Sequence, residues 1–69
     1  MATKTAIISI ENLKTEDIPK LRETLTALPG VASVDFNTER SVAVLDFDPS
    51  QSHIDDFLRA VLQAGFKVL

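Results

Sequence analysis

The sequence predicts an α+β fold, a βαββαβ sandwich in which a four-stranded antiparallel sheet carries two helices on one face. Two helix-like segments have apolar stripes, each follows a β-branched run, and the two halves of the chain have similar length. The apolar stripes of the two helices must be buried against a sheet. We therefore expect the ferredoxin-like arrangement over residues 1–69 as a single domain.

The first half contains a strand and a helix. Residues 5–10 are β-branched and apolar, which favours a central strand. The helix is expected to begin within residues 14–17, where acidic side chains match the positive end of the helix dipole, and to end at Pro29-Gly30. Its apolar stripe consists of Ile18, Leu21, Leu25 and Leu28.

A hairpin is predicted after this helix. Residues 31–36 and 41–47 are rich in β-branched and apolar residues, and they flank the polar turn 37–40. Alternation assigns one face of each strand to the core. The residues expected inward are Val34, Phe36, Ala43, Leu45 and Phe47. Those expected on the opposite face are Asp35, Val42, Val44 and Asp46.

The second helix is predicted between Ser52 and Gly65. Its apolar stripe consists of Ile54, Phe57, Leu58 and Val61. Ser52 stands three residues before Asp55, a weak capping pattern, and Asp55 has the spacing of a helical ion pair with Arg59. Residues 66–69 are expected to form a short last strand.

Composition limits the functions of the chain. Ten acidic and seven basic residues give a net charge of −3, which argues against binding to nucleic-acid phosphates. No apolar run approaches the ~20 residues that span a bilayer, and the start of the chain lacks the apolar region of a signal peptide. We therefore expect a cytoplasmic protein with no membrane or nucleic-acid partner. The absence of cysteine excludes disulfides and thiolate metal ligands, and we expect no cofactor.

Three short motifs stand at the ends of predicted elements: Leu-Pro-Gly-Val at 28–31, Phe-Asp-Pro at 47–49 and Ala-Gly-Phe at 64–66. Together with the chain from Ile18 onward, they resemble the heavy-metal-associated domain, the module of soluble copper chaperones and of the N-terminal tails of metal-pumping ATPases. Each motif stops a helix or a strand, so the resemblance implies the fold more directly than an activity.

The chain departs from that family in the loop after the first strand. The family binds soft metal ions there through Met-x-Cys-x-x-Cys, whose thiolates lie at a helix N-terminus. In this sequence the cysteine positions fall on Lys14 and Asp17, and the methionine position falls on Leu13 in a loop one residue shorter. None of these side chains is a thiolate. Two alternatives remain for the loop: an ion pair of Lys14 with Asp17 in place of the metal, or an ordinary solvated helix cap.

Other polar residues are weaker metal-site candidates. His53, the single histidine, lies beside Ser52 and Asp55 and could join carboxylates in binding a borderline metal. A second acidic group near the first loop comprises Glu11, Glu16 and Asp17. For both groups the alternative is that the acids favour helix starts. Asp46 and Asp48 are expected to be solvated charges at a sheet edge.

The sequence does not support an enzyme. It has no cysteine nucleophile, one histidine and no glycine-rich phosphate loop. Acylphosphatases share the element order, but their first loop carries an arginine, which residues 11–14 lack. RNA-recognition domains also share it and stack bases on exposed aromatic side chains, whereas Phe36 and Phe47 are expected inward.

The sheet face not covered by helices is the remaining candidate surface. Adjacent apolar side chains there would form a patch of the kind that marks protein association. The residues expected in this patch are Ile7, Val42, Val44 and Leu69, beside Ser9, Asp35 and Lys67. The strands at 31–36 and 66–69 are the expected edges, able to accept a further strand. The alternative is isolated surface hydrophobes, since strands favour valine and isoleucine.

These observations favour a heavy-metal-associated-like domain that has lost its cysteine site and acts as a protein-association module, as a homo-oligomer or beside a metal-transport system. One alternative is a small-molecule sensor similar to ACT domains, which share the element order and bind amino acids near the first strand–helix loop. That loop lacks their glycine, and it has no aspartate before Asp17. Another alternative is metal binding through His53 and carboxylates.

Overall fold

The computed structural model describes residues 2–69 as a sheet packed against two helices. Its elements are β1 (Lys4–Ser9), α1 (Ile18–Thr26), β2 (Val31–Asn37), β3 (Val42–Phe47) and α2 (Ile54–Gln63), with a 3-10 turn over Thr15–Asp17 before α1. The strands pair antiparallel in the order β1-β3-β2, so β3 is central. No helix within the described residues is long and apolar enough to cross a membrane.

The segment expected to be the fourth strand, 66–69, makes one isolated bridge beside β1, between Ile10 and Val68. Two backbone hydrogen bonds of 2.9 Å flank the bridge, from Glu11 N to Lys67 O and from Leu69 N to Ser9 O. The segment lies opposite the end of β1 and the first residues of the next loop, and so short an overlap leaves room for little more than this pairing. The sheet over residues 2–69 therefore has three strands, and the four-stranded prediction is wrong.

The core lies between the sheet and the helices. Leu21 and Leu25 of α1 and Phe57 and Val61 of α2 are fully buried in one cluster with the inward residues of the sheet. The ring of Phe57 meets that of Phe47 edge-to-face, with centroids 4.8 Å apart. The predicted inward register of the hairpin is confirmed: Val34, Ala43, Leu45 and Phe47 are buried, and Phe36 packs against the cluster.

The start of α2 differs from the prediction. Ser52 does not cap the helix, because its buried hydroxyl donates to Pro29 O at 2.5 Å. The cap lies one residue later, where the Asp56 carboxylate accepts a hydrogen bond from His53 N at 2.8 Å. The helix begins at Ile54, whose side chain in this first turn is 51% exposed, so its predicted place in the core is wrong.

The predicted ion pair on α2 is also shifted. Arg59 Nη1 lies 3.9 Å from Oδ1 of Asp56. Arg59 thus pairs with the residue three positions earlier in the chain and not with Asp55. Both side chains are substantially exposed, and surface pairs of this kind contribute only about 0–1 kcal/mol.

The entry into β2 is irregular and tightly packed. A register shift between Val31 and Ser33 lets Val31 and Val34 both face the core although they are three residues apart. Gly30, which precedes the strand, has a positive φ of 80°. A Cβ on Gly30 would lie 2.8 Å from the Cβ of Gln51, so this junction requires glycine.

Candidate functional site

The loop between β1 and α1 contains the positions where the resemblance places a metal site. The loop turns at Asn12, which has a positive φ of 55°, and Leu13 after it is buried in the core cluster. Ser41 holds the loop from the hairpin, because its hydroxyl accepts a hydrogen bond from Leu13 N at 2.9 Å and donates one to Ile10 O at 2.5 Å. Leu13 is thus an apolar anchor of the loop.

Lys14 and Asp17 interact through the backbone. Asp17 Oδ2 accepts a hydrogen bond from Lys14 N at 3.1 Å, and Asp17 N donates one to Lys14 O at 2.9 Å. Over residues 2–69 the one ion pair is that of Arg59 with Asp56, so the Lys14 ammonium is not paired with Asp17. Of the two alternatives for this loop, the geometry matches the helix cap.

His53 occupies the corresponding position before α2. The Asp56 carboxylate beside it already accepts the His53 N–H and faces Arg59. In the part of the chain that the structure describes, no three His, Cys, Asp or Glu side chains are grouped so that they could hold a metal ion. This statement covers His53 with its acidic neighbours and also the group of Glu11, Glu16 and Asp17.

The uncovered face of the sheet brings the predicted apolar residues together. The pairing of β1 with β3 sets Ile7 opposite Val44 and Ser9 opposite Val42. On the side of β1 away from β3, Leu69 N donates a hydrogen bond to Ser9 O. Ile7 is 69% and Leu69 76% exposed, while the two valines are half-buried. We call Ile7, Val42, Val44 and Leu69 the open-face patch. It extends over β1, β3 and the segment 67–69.

Polar side chains border this patch. Asp46 accepts hydrogen bonds from Thr5 Oγ1 at 2.6 Å and from Ser33 Oγ at 3.1 Å. Because β3 is the central strand, Asp46 links all three strands, and its predicted place at a sheet edge is wrong. On β2, Asp35 lies opposite Val44 and places a second carboxylate beside the patch.

Asp48 organises the turn after β3. Its carboxylate accepts hydrogen bonds from Ser50 Oγ (2.7 Å), Ser50 N (2.9 Å) and Gln51 Nε2 (3.1 Å). These bonds, the one from the Ser50 hydroxyl first, hold the pKa of Asp48 below its ordinary value of 3.8. Asp48 is therefore a turn-forming residue.

The outer edge of β2 is covered by a side chain from α1. Arg22 Nη1 donates to Val34 O at 2.8 Å, and the guanidinium lies 5.4 Å from the centroid of the Phe36 ring. The Val34 carbonyl points away from β3, because backbone groups alternate along an antiparallel strand and those of Asp35 face β3. Arg22 thus occupies an acceptor that an added strand would need.

Three residues with these positioning roles were not found by sequence reasoning: Arg22, Ser41 and Ser52. Helical spacing puts Arg22 on the solvated side of α1, and no pattern shows that its side chain reaches β2. The two serines bond to backbone carbonyls 31 and 23 residues away. Local sequence carries no signal of such contacts.

Several solved structures share this fold. A CopZ metallochaperone superposes with a TM-score of 0.89 at 21% identity, covering 96% of this chain and 100% of that chain. Oxidized MerP from Ralstonia metallidurans CH34 superposes with a TM-score of 0.88 at 23% identity, covering 99% of this chain and 96% of that chain. The third structure is the Cu(I)-loaded N-terminal domain of a potential copper-translocating P-type ATPase from Bacillus subtilis. It superposes with a TM-score of 0.88 at 22% identity, covering 97% of this chain and 85% of that chain. At such identities the likeness shows the fold. No curated protein matches the sequence significantly.

The family assignment comes from the sequence itself. The heavy-metal-associated domain matches residues 18–67, more than half of the chain. The match includes all three element-ending motifs, and it begins directly after the loop that holds Leu13, Lys14 and Asp17. The chain is thus a member of the heavy-metal-associated domain family, one that contains no cysteine.

Proposed function

We propose that this domain is a protein-binding module that docks through the open-face patch. The observation that carries the proposal is the register, which aligns Ile7 with Val44 and places Val42 and Leu69 on either side of Ser9 on an uncovered face. Covering apolar surface is favourable by about 25 cal/mol per Å². Asp46 and Asp35 beside the patch would supply a polar rim of the kind found around protein interfaces.

The partner we propose is a protein of a metal-transport system, with a second copy of this chain as the other occupant to be tested. The shared fold of a metallochaperone and of an ATPase N-terminal domain supports the first. The chain would act in the cytoplasm, by binding and without catalysis, and no cofactor is needed for such docking. Without thiolates, its part in metal handling would be to engage a protein and not to carry the ion.

The direct test is an NMR titration of the ¹⁵N-labelled chain with the N-terminal domain of a copper-translocating P-type ATPase. We expect amide shifts at residues 7, 42, 44 and 69, and loss of binding in Ile7→Lys. Leu62→Lys is the matched control, because Leu62 is similarly exposed (55%) but lies on α2. Shifts confined to the loop at 11–17, or equal loss in both variants, would contradict docking at this face.

Two further measurements separate the alternatives. Light scattering over a concentration series detects self-association, and Ile7→Lys should abolish it if the second copy is the occupant. Calorimetry with Cu(I), Zn(II), Ni(II) and a panel of amino acids tests metal and small-molecule binding. A Kd below micromolar for any of these ligands on the monomer would overturn the proposal.

A further inference from the structure

The uncovered face of the sheet carries an acid at one side of the open-face patch and a base at the other. Asp35 lies on β2, and the register aligns it in one row with Val44 and Ile7. Lys67 lies on the outer side of β1, where its carbonyl accepts a hydrogen bond from Glu11 N. Both charged side chains are exposed. The apolar patch is therefore bordered by charges of opposite sign.

Both charges are available to a molecule that covers the face. Among residues 2–69 the one ion pair lies on α2, so neither Asp35 nor Lys67 belongs to one. Val68 packs against the core, and Lys67 next to it therefore points to the open face. Asp46, the other acid on this face, already accepts hydrogen bonds on both of its oxygens.

The spacing of the strands fixes how these two charges are separated. Lys67 lies three strand spacings from Asp35, about 14 Å across the sheet, and four residues further along it, about 13 Å. The midpoint between them falls between Ser9 and Val42, which are paired in the patch itself. A twofold axis through this midpoint, in the plane of the face and perpendicular to the line between the charges, exchanges Asp35 with Lys67.

A second copy placed by this axis covers the patch. The axis makes an angle of about 45° with the strands, so the strands of the two copies cross at about 90°, one of the two preferred arrangements of packed sheets. By the same spacings, Leu69 comes to lie over Ile7 and Val44 of the second copy. Glu11 falls opposite Asn37, an amide and not an acid. The face thus complements itself in both apolar contact and charge.

We propose that the free chain forms a face-to-face homodimer through the open-face patch, with Asp35 of each copy paired to Lys67 of the other. Such an isologous contact closes on itself. The strands overlap over roughly 300 Å² per copy, less than the ~800 Å² of a stable interface, so the dimer is weak. The inference rests on the proposed function, because the second copy occupies the patch until a protein partner displaces it.

The first test is a dilution series of the ¹⁵N-labelled chain, followed by NMR. Concentrations from about 2 mM to about 20 µM cover the weak Kd expected for so small an interface. We expect the amide signals of residues 7, 35, 42, 44 and 69 to shift with concentration, and translational diffusion to slow as the dimer forms. Constant shifts and constant diffusion over this range would overturn the proposal.

Charge exchange tests the arrangement of the dimer. Asp35→Lys and Lys67→Asp each place like charges together and should weaken dimerisation at least about tenfold. Both changes in one chain restore the pairs and should return the Kd to within about threefold of the original. Glu23→Lys, at an exposed position on α1, alters the net charge as Asp35→Lys does and should leave the Kd unchanged. A double variant as weak as the single variants would contradict this dimer.

The titration with the ATPase domain separates this inference from the proposed function. If the domain shifts residues 7, 42, 44 and 69 while the chain alone stays monomeric, the dimer is wrong and the proposed function stands. If the chain dimerises and the domain does not bind, the proposed function fails and the dimer stands. If both form, the apparent Kd for the domain should rise about tenfold when nine-tenths of the chain is dimeric. An unchanged Kd would show that the dimer uses another surface.

Discussion

The loops that lead into the two helices use the same hydrogen bonds but are anchored differently. Before α1, Asp17 accepts the N–H of Lys14 and returns its own N–H to the Lys14 carbonyl. Before α2, Asp56 does the same with His53. The first loop is held by a buried leucine and the hydroxyl of Ser41. The second is held by the Ser52 hydroxyl, which donates to Pro29 O, and by the close approach of Gly30 to Gln51.

This comparison shows that the first loop does not need a metal to be ordered. The motif resemblance would place the family's thiolates at Lys14 and Asp17, yet these residues form the cap that also occurs at α2. A helix start needs acceptors for its free N–H groups, and an aspartate three residues along provides one. Loss of sulfur from this fold therefore leaves the loop with a complete local structure.

The largest effect is expected from Leu13→Ala. Leu13 is 5% exposed, and replacing a buried leucine by alanine costs about 2–5 kcal/mol. We expect the free energy of unfolding, measured in urea, to fall by about 3 kcal/mol. Leu62→Ala, at an exposed position, is the control and should cost below about 1 kcal/mol. If both variants lose the same amount, Leu13 is not the anchor of the first loop.

Next in size is Gly30→Ala in the second loop. The change forces an L side chain into positive φ, which costs about 1–2 kcal/mol, and sets its Cβ 2.8 Å from that of Gln51. We expect a loss of about 2–3 kcal/mol by urea denaturation. Gly65→Ala shares the positive φ but meets no atom within 4 Å, and it should cost about 1 kcal/mol. Identical losses would mean that the packing at Gly30 is unimportant.

The shared caps should give smaller and equal effects. Asp17→Ala and Asp56→Ala each remove one hydrogen-bond acceptor at a helix start. We expect each variant to lower the free energy of unfolding by about 1 kcal/mol, measured by thermal unfolding. Lys14→Ala should change stability by less than about 0.5 kcal/mol, because the ammonium is not paired with Asp17. A larger loss for Lys14→Ala than for Asp17→Ala would support a lysine that replaces the metal charge.

The smallest effect is a pH dependence that comes from Asp48 in the second loop. Hydrogen bonds, first from the Ser50 hydroxyl, lower the pKa of Asp48 below 3.8. Its contribution to stability is thus complete above the unfolded pKa and is lost as the pH falls through the lower folded pKa. By ¹³C NMR the Asp48 carboxyl should titrate below pH 3.8, and Ser50→Ala should raise the midpoint. Ser33→Ala is the control that should leave it unchanged.

Those parts of the fold that depend on periodicity could be predicted from the sequence. The spacing of Leu21 with Leu25 and of Phe57 with Val61 identified both buried helix faces. Alternation also identified the residues of the open-face patch, since a strand puts every second side chain on one face. That this patch binds a protein stays a prediction.

What the sequence could not provide depends on contacts between distant segments. Ser52 looked like a cap, but its hydroxyl is used by the carbonyl of Pro29, so the cap moved to His53 with Asp56. The contact of residues 67–69 with β1 is a single bridge flanked by two hydrogen bonds, and spacing does not reveal how far such a pairing extends. Leu13 aligned with the methionine of the family's metal-binding motif, and its burial became visible only in the packed structure.

The guanidinium of Arg22 on the rim of β2 has a consequence for polymerisation. Fibrils grow when every subunit offers two complementary strand edges, so that each addition recreates the template. Here the Val34 carbonyl on one edge is already held by a guanidinium that lies over the Phe36 ring. A strand that added at β2 would have to displace this side chain, so this edge opposes growth into aggregates.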